Sequence, residues 1–511
     1  MKGNIKFVLI VFAGLFLCAS TAFSQNRVKK LDDFFSAFAK NRDFNGNVLI
    51  AEKGRIIYEK SFGYADFPRR RLNTKNALFP FASISKTITA TAILQQVEKG
   101  EMRLSDPVVK FLPAFPYPEI TVRHLLSHTS GLPPYNAFFE ALRKAEPKKV
   151  FTNDDFMAGL NADRKPLIYR SGESWNYDNT NFIVLALILE KVSGEKYEDY
   201  IEKHILEPAG MRETFFFQDL FDSSKNNIRN LVIPHWYPRL YSAAPVRADS
   251  IAYLVDYWKS YHFSGFGEYV GTARDLLKYD RALAAGTLVS EKALSEAFAP
   301  VKLNNGKENA GNYGLGWTIL KDDSLGKTVF HAGGSIGLSC VLFRNIAKDQ
   351  TVILFDLAHP GAPEIAAGAL KILNNGNVPL PKKKIVRIYG KILTTEGKAA
   401  AAEALDKLRK DPAGYELDKE DLIKLGYELL GDVDPFHLKF APQYDEALEV
   451  FRQCVRLFPA YWNSYDSYAD ALARTGNKKA AIEMYKKSLE LKPDSESGIK
   501  ALQKLLEEKN D

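Results

Sequence analysis

Ser83 and Lys86 stand three residues apart in Phe81-Ala82-Ser83-Ile84-Ser85-Lys86. On a helix that spacing puts a hydroxyl and an amine on one side, one turn apart. An amine that loses its proton through burial or nearby charge can take the hydroxyl proton and activate Ser83 as a nucleophile. The pattern alone says little, because Ser193/Lys196, Ser324/Lys327 and Ser497/Lys500 repeat it. Context separates the four. Ser193 closes an apolar helix before Gly194, Ser324 lies in a polar turn, and Ser497 lies in a C-terminal helix. Ser83 alone falls between an apolar run, 77–81, and an amphipathic helix, near the positive end of the helix dipole.

Two further elements follow in order. Tyr177-Asp178-Asn179 precedes an apolar helix, and His331-Ala332-Gly333-Gly334 ends a strand. Each has a decoy, Tyr461-Trp462-Asn463 and His359-Pro360-Gly361, but the ordered triple is far rarer than any one member. Free Lys and Tyr both titrate near about 10, so either must be perturbed to act as a base at neutrality. Two rival centres are weaker. Gly333–Gly337 matches the G-x-S-x-G nucleophile elbow on Ser335, yet an elbow leads from strand to helix and 338–344 reads as a strand. His124 and His128 have the spacing of a metal helix without a third ligand. They read as hydrogen-bonded supports of the pocket, and no metal or cofactor is expected. Tyr313 and Trp317 read as core.

The elements that must position these residues are legible by periodicity. Residues 46–62 form two strand-like runs around Lys53-Gly54, a hairpin signal. Helices are expected over 84–99, 121–128 and 182–192, and strands over 327–331, 338–344 and 351–357. Strands at both ends with helices between them make an α+β pattern rather than an alternating one. Residues 374–381 have the composition of a linker. Beyond about 395 the chain is all helix-like, with candidate helices at 398–409, 422–430 and 495–508. Ala447/Ala481, Phe451/Tyr485 and Pro459/Pro493 recur at a 34-residue period, which is similar to tetratricopeptide repeats. The first copy carries an insertion at 431–444.

Length and composition bound the rest. A chain of 511 residues suggests about three domains and can bury a core without disulfides. With 46 % hydrophobic and 26 % charged residues it is an ordinary globular chain, which excludes collagen-like, low-complexity and wholly disordered classes. A net charge of +7 without a basic stripe argues against a nucleic-acid partner. Lys2, Lys6, the apolar stretch 7–17 and Ala22-Phe23-Ser24 read as a cleaved export signal, so a periplasmic or extracellular protein is expected, with no integral membrane segment after it. Cys18 would leave with that signal, and Cys340 and Cys454 fall in different domains, so no structural disulfide is expected.

Together, 81–86, 120–133 (ITVRHLLSHTSGLP), 171–179 (SGESWNYDN), 313–317 (YGLGW) and 331–337 (HAGGSIG) make the chain resemble the serine β-lactamase and penicillin-binding protein superfamily. The likeness is to its class C β-lactamase-like branch, over roughly residues 30–375. That resemblance implies an antiparallel sheet with helices on both faces and a helical subdomain. It implies Ser83 as the acylated nucleophile, Lys86 as base or relay, and Tyr177 as proton shuttle. Asn179 would orient Lys86 and the substrate amide. The backbone N–H groups of Ser83 and Gly334, beside Gly333, would form the oxyanion hole. Which of Lys86 and Tyr177 is the base stays open.

His331 stands where such proteins often carry Lys for a substrate carboxylate; its charge would follow pH. Asp178, Ser171 and the stretch 264–272 (SGFGEYVGT) also depart from the pattern, and the last would border the pocket. The expected organisation is a signal at 1–24, a hydrolase domain at 27–375, a linker at 376–394 and a helical tetratricopeptide-like domain at 395–511. The expected function is an exported serine hydrolase of an amide or ester, whether D-amino-acid peptide, ester or β-lactam-like, with a possible protein partner on the repeats. The alternative is an inactive domain of the same fold used for binding, with the repeats as the active part.

Overall fold

Leu338–Asn345 and Gln350–Asp356 are buried throughout and Gly46–Glu52 nearly so, as strands covered on both faces must be. The computed structural model describes residues 25–217, 219, 230–251, 255, 260–357, 361–431 and 440–507. The expected signal over 1–24, with Cys18, and the His359 decoy lie outside them. We label the main elements of the first compact unit α1 (25–40), β1 (Gly46–Glu52), β2 (Arg55–Ser61), α2 (Ser85–Glu98), α3 (Thr180–Ser193), β3 (Thr318–Ile319), β4 (Thr328–Ser335), β5 (Leu338–Asn345), β6 (Gln350–Asp356) and α4 (Ala362–Leu373). The six strands make one antiparallel sheet in the order β3-β4-β5-β6-β1-β2. The α+β architecture is the one expected.

Period-two alternation divides each central strand between two cores. Val48, Ile50, Val341, Phe343, Val352 and Leu354 face a layer made by α1 and α4. Leu49, Cys340, Leu342, Ile353 and Phe355 face the larger core that holds α2 and α3. The β1–β2 turn is the Lys53-Gly54 pair, with φ of +51° and +74°, the left-handed pair that suits a two-residue hairpin. Phe355 stacks on Phe79 at 4.7 Å and on Phe81 at 6.0 Å, which ties the sheet to the turn bearing Ser83. Phe355→Ala is expected to cost about 3–5 kcal/mol in urea unfolding.

The expected helix at 121–128 is shorter, Val122–Leu126, because Thr121 and His124 close a capping box and His128 turns left-handed at φ +59°. Strand β4 runs through Ser335 and meets β5 by a hairpin, with Ser335 opposite Leu338. Ser335 therefore leads into no helix, and the elbow geometry is not formed.

The second unit comprises 381–511 together with 237–246. Its helices include Ile385–Thr395, Lys398–Leu408, Lys419–Leu430, Tyr444–Leu457, Trp462–Arg474, Lys478–Leu491 and Glu496–Glu507. The linker expected over 376–394 is corrected by the first of these. Ile385, Val386, Tyr389 and Leu393 share one buried helical face. The repeat positions match in burial: Ala447, Ala481 and Phe451 are fully buried and Tyr485 nearly so. Gly476 turns between its two helices at φ +79°. Leu240 and Tyr241 pack in this unit's core, and the Leu240 N–H donates to Glu428 at 2.8 Å.

Candidate active site

Ser83 sits in a single 3-10 turn, Ala82–Ile84, that runs directly into α2. Ala82 holds φ +44°, a region an L-residue visits at a cost. The Phe81 N–H bond to Tyr269 O at 2.8 Å and the Phe81–Phe355 stack hold the chain there. Lys86 follows one turn on, fully buried, and its Nζ donates to Ser83 Oγ at 2.9 Å. Its second acceptor is the Phe266 carbonyl at 3.0 Å. The rings of Tyr177, Phe266 and Phe182 lie 4.9, 5.3 and 5.7 Å from the ammonium. Burial pushes the Lys86 amine down to about 7, against the pull of Glu268 and Asp178. An amine so placed is deprotonated in a large fraction near neutrality and lies within reach of the hydroxyl it would activate.

The other three Ser/Lys pairs make no such contact. Ser193 bonds to Glu195 and Lys196 pairs with Asp154; Ser324 bonds to Asp322; Ser497 bonds to Ser495.

Tyr177 also lies within reach of Ser83. Burial of its hydroxyl end, with Asp178 beside it, raises the phenol above its ordinary value even though 37 % of the residue is exposed. The phenol therefore stays protonated at neutral pH, which suits a proton donor. Its ring packs against His128 at 4.3 Å. His128 Nδ1 accepts from the Asp178 N–H and faces the Asn181 amide, both at 3.2 Å. His124 instead caps its own helix, its Nδ1 accepting from the Thr121 N–H. The two histidines thus serve different ends, and among the described residues no group of three or more His, Cys, Asp or Glu side chains could hold a metal ion.

Asn179 lies just ahead of α3, but it does not hold Lys86 as expected. The loop at 265–268 reaches the amine first, through the Phe266 carbonyl. The Asn179 Oδ1 is buried and meets no donor. His331 also differs from expectation. Its Nδ1–H donates to the Ala332 carbonyl and its Nε2 accepts from Tyr313 OH, both at 2.7 Å. Burial, with Lys86 nearby, pushes it down to about 3, so it is neutral across the physiological range rather than a pH-following cation.

Gly333 is required sterically. A Cβ there would stand 2.6 Å from Phe81 O and Cys340 Sγ and 3.1 Å from the Ser83 nitrogen, so β4 lies directly against the nucleophile turn. Gly334, next along, is exposed.

Sequence reasoning missed three participants: the Phe266 carbonyl, the buried Glu268 carboxylate and the Tyr313–His331 bond. The one available signal was an acid within the aromatic, glycine-bearing stretch 264–272.

Residues 31–374 match the Beta-lactamase family model. The chain belongs to the β-lactamase family. Penicillin-binding protein 4* of Bacillus subtilis is 36 % identical over 332 residues, covering 64 % of this chain and 71 % of that protein. Esterase EstB of Burkholderia gladioli is 27 % identical, covering 64 % of this chain and 94 % of its own length. The octameric penicillin-binding protein homologue from Pyrococcus abyssi shares 27 % identity at a TM-score of 0.57, covering 72 % of this chain and 81 % of that one. Residues 463–495 match a tetratricopeptide repeat. This member of the β-lactamase family is a serine hydrolase of the β-lactamase-related type, with a tetratricopeptide repeat near its C-terminus.

Proposed function

We propose that the first unit hydrolyses an uncharged ester or amide through an acyl-enzyme on Ser83. The observation that carries this reading is the 2.9 Å bond between Ser83 Oγ and a buried Lys86 amine. Lys86 Nζ takes the Ser83 proton as Oγ attacks the carbonyl carbon. The oxyanion forms against the N–H groups of Ser83 and Gly334. Collapse breaks the bond to the leaving group, which takes the Tyr177 proton, and Lys86 returns a proton to Tyr177. Water then attacks the ester, giving its proton back through the same pair, and Ser83 is restored. Asn179 Oδ1, buried without a donor, accepts an N–H from the substrate. Lys86 is the acylation base, because Tyr177 is raised and Lys86 lowered.

His331 favours an uncharged substrate. A neutral imidazole already bonded at both nitrogens offers nothing to a carboxylate beside the scissile bond. The same bonded pair of Ser83 and Lys86 disfavours a binding-only domain. We place the protein outside the cytoplasm on its N-terminal sequence, and assign the helical repeats to a protein contact.

The test is intact mass and product release after incubation with a penicillin and, separately, a p-nitrophenyl ester, beside Ser83→Ala. Turnover of the ester without a lasting penicillin adduct, lost in the variant, is the expected result. A stable penicillin adduct on Ser83 would shift the substrate to a D-peptide. Ester turnover that survives in Ser83→Ala would end the reading.

A further inference from the structure

The stretch 264–268 holds a buried acid two residues beyond the carbonyl that meets the catalytic amine. Glu268 is 5 % exposed. Its carboxylate curls back on its own loop: Oε2 accepts the Gly267 N–H at 2.7 Å, and Oε1 accepts the Tyr197 O–H at 2.8 Å. Thr89 pins the same loop by donating to the Gly265 carbonyl at 2.7 Å. Between these anchors the Phe266 carbonyl projects onto Lys86 Nζ. A glutamine could keep the Gly267 bond through its oxygen and meet Tyr197 by donating from its amide to the hydroxyl oxygen. The charge is what only an acid supplies, and burying a carboxylate is costly unless a cation faces it.

We propose that Glu268 is a positioning residue for Lys86: its carboxylate braces the loop that aims the Phe266 carbonyl at the amine and supplies the negative charge behind it. This rests on Lys86 acting as the acylation base. The titratable groups facing Lys86 are Tyr177 and Asp178 ahead of α3, His128 after the short helix, His331 on β4 and Glu268 on its loop. The two histidines are held neutral and Tyr177 is held protonated by burial. Burial raises the Glu268 and Asp178 carboxyls above their ordinary values, so theirs are the charges that vary around the amine, and Glu268 has the stronger pull.

The test is the rate at which a serine-reactive fluorophosphonate labels Ser83, followed by intact mass from about pH 5 to about pH 9. The wild-type rate should climb through the Lys86 value of about 7. In Glu268→Gln the climb moves about one pH unit lower, because removing an attractive charge lets the amine shed its proton sooner. Thr89→Val loosens the same loop and loses a bond to the Tyr197 hydroxyl but keeps the carboxylate, so its climb moves by less than that of Glu268→Gln. Should Glu268→Gln not fold, Tyr197→Phe, which removes a donor to the charged carboxylate, moves the climb in the same direction by less.

An unmoved climb in folded Glu268→Gln, or an equal movement in Thr89→Val, overturns the proposal. In Tyr197→Phe an unmoved climb does the same. Lys86→Ala separates the two readings. If the variant keeps the climb, Lys86 is not the base and the mechanism above is wrong. If the climb needs Lys86 and ignores Glu268, only this inference is wrong.

Discussion

Lys86→Met lowers ester turnover by about 10²–10⁴-fold, the usual contribution of a general base, and tilts stability toward the variant as pH falls. The second effect follows from the same burial as the first. The amine titrates at about 7 in the folded protein against 10.5 for a free lysine, so between those values the unfolded chain binds more protons. Wild-type stability therefore rises with pH across that window; the full penalty applies below about 7 and vanishes above about 10. At 1.36 kcal/mol per pH unit the swing between about 7 and 10.5 is about 5 kcal/mol. Methionine fills the space and has no proton to lose. Urea unfolding of both proteins at several pH values should show the difference moving toward the variant by that order as pH drops. A constant difference would mean that Lys86 keeps its proton, and would remove the base from the mechanism.

Gly333→Ala should cut turnover by about 10²-fold or more while the protein still folds. The new methyl would press on Phe81 O and Cys340 Sγ at 2.6 Å and on the Ser83 nitrogen at 3.1 Å. Two of these three atoms are backbone, so either β4 or the nucleophile turn must shift. Overpacking of this kind costs about 1–3 kcal/mol, which a domain of this size tolerates. A displacement near 1 Å at the reacting oxygen costs about 10²-fold in rate. Adding Cys340→Ala removes only the sulfur contact. The double variant should regain part of the stability and little of the activity, since Phe81 O is still in the way. Recovery of both would place the steric conflict on the sulfur instead of the nucleophile turn.

The parts of this site carried by side chains at local spacing were legible in the sequence. Ser83 and Lys86 are one helical turn apart, and Tyr177, Asn179 and His331 stand beside apolar runs that become α3 and β4. The central strands were legible because each face is buried and the apolar run is continuous. What stayed hidden was set by tertiary packing. The Phe266 carbonyl lies 180 residues from Lys86 and, as backbone, carries no residue signature. His331 looked like a titrating group because its type alone allows that; the Tyr313 bond and burial decide otherwise. The helix at Ile385–Thr395 was masked by the prolines and lysines just before it, although its apolar spacing was present all along.

The ten residues at 237–246 set an order of events during synthesis. Leu240 bonds to Glu428, 188 residues later, and shares a core with helices made later still. At about 5–20 residues per second, roughly 10–40 seconds separate the emergence of the two ends of that bond from the ribosome. The first unit's strands are complete by Asp356, so its sheet can close while Leu240 and Tyr241 still await their helices. A premature stop at Leu380 would leave a finished hydrolase domain carrying two stranded apolar side chains, a target for chaperones and proteases rather than a clean single-domain enzyme.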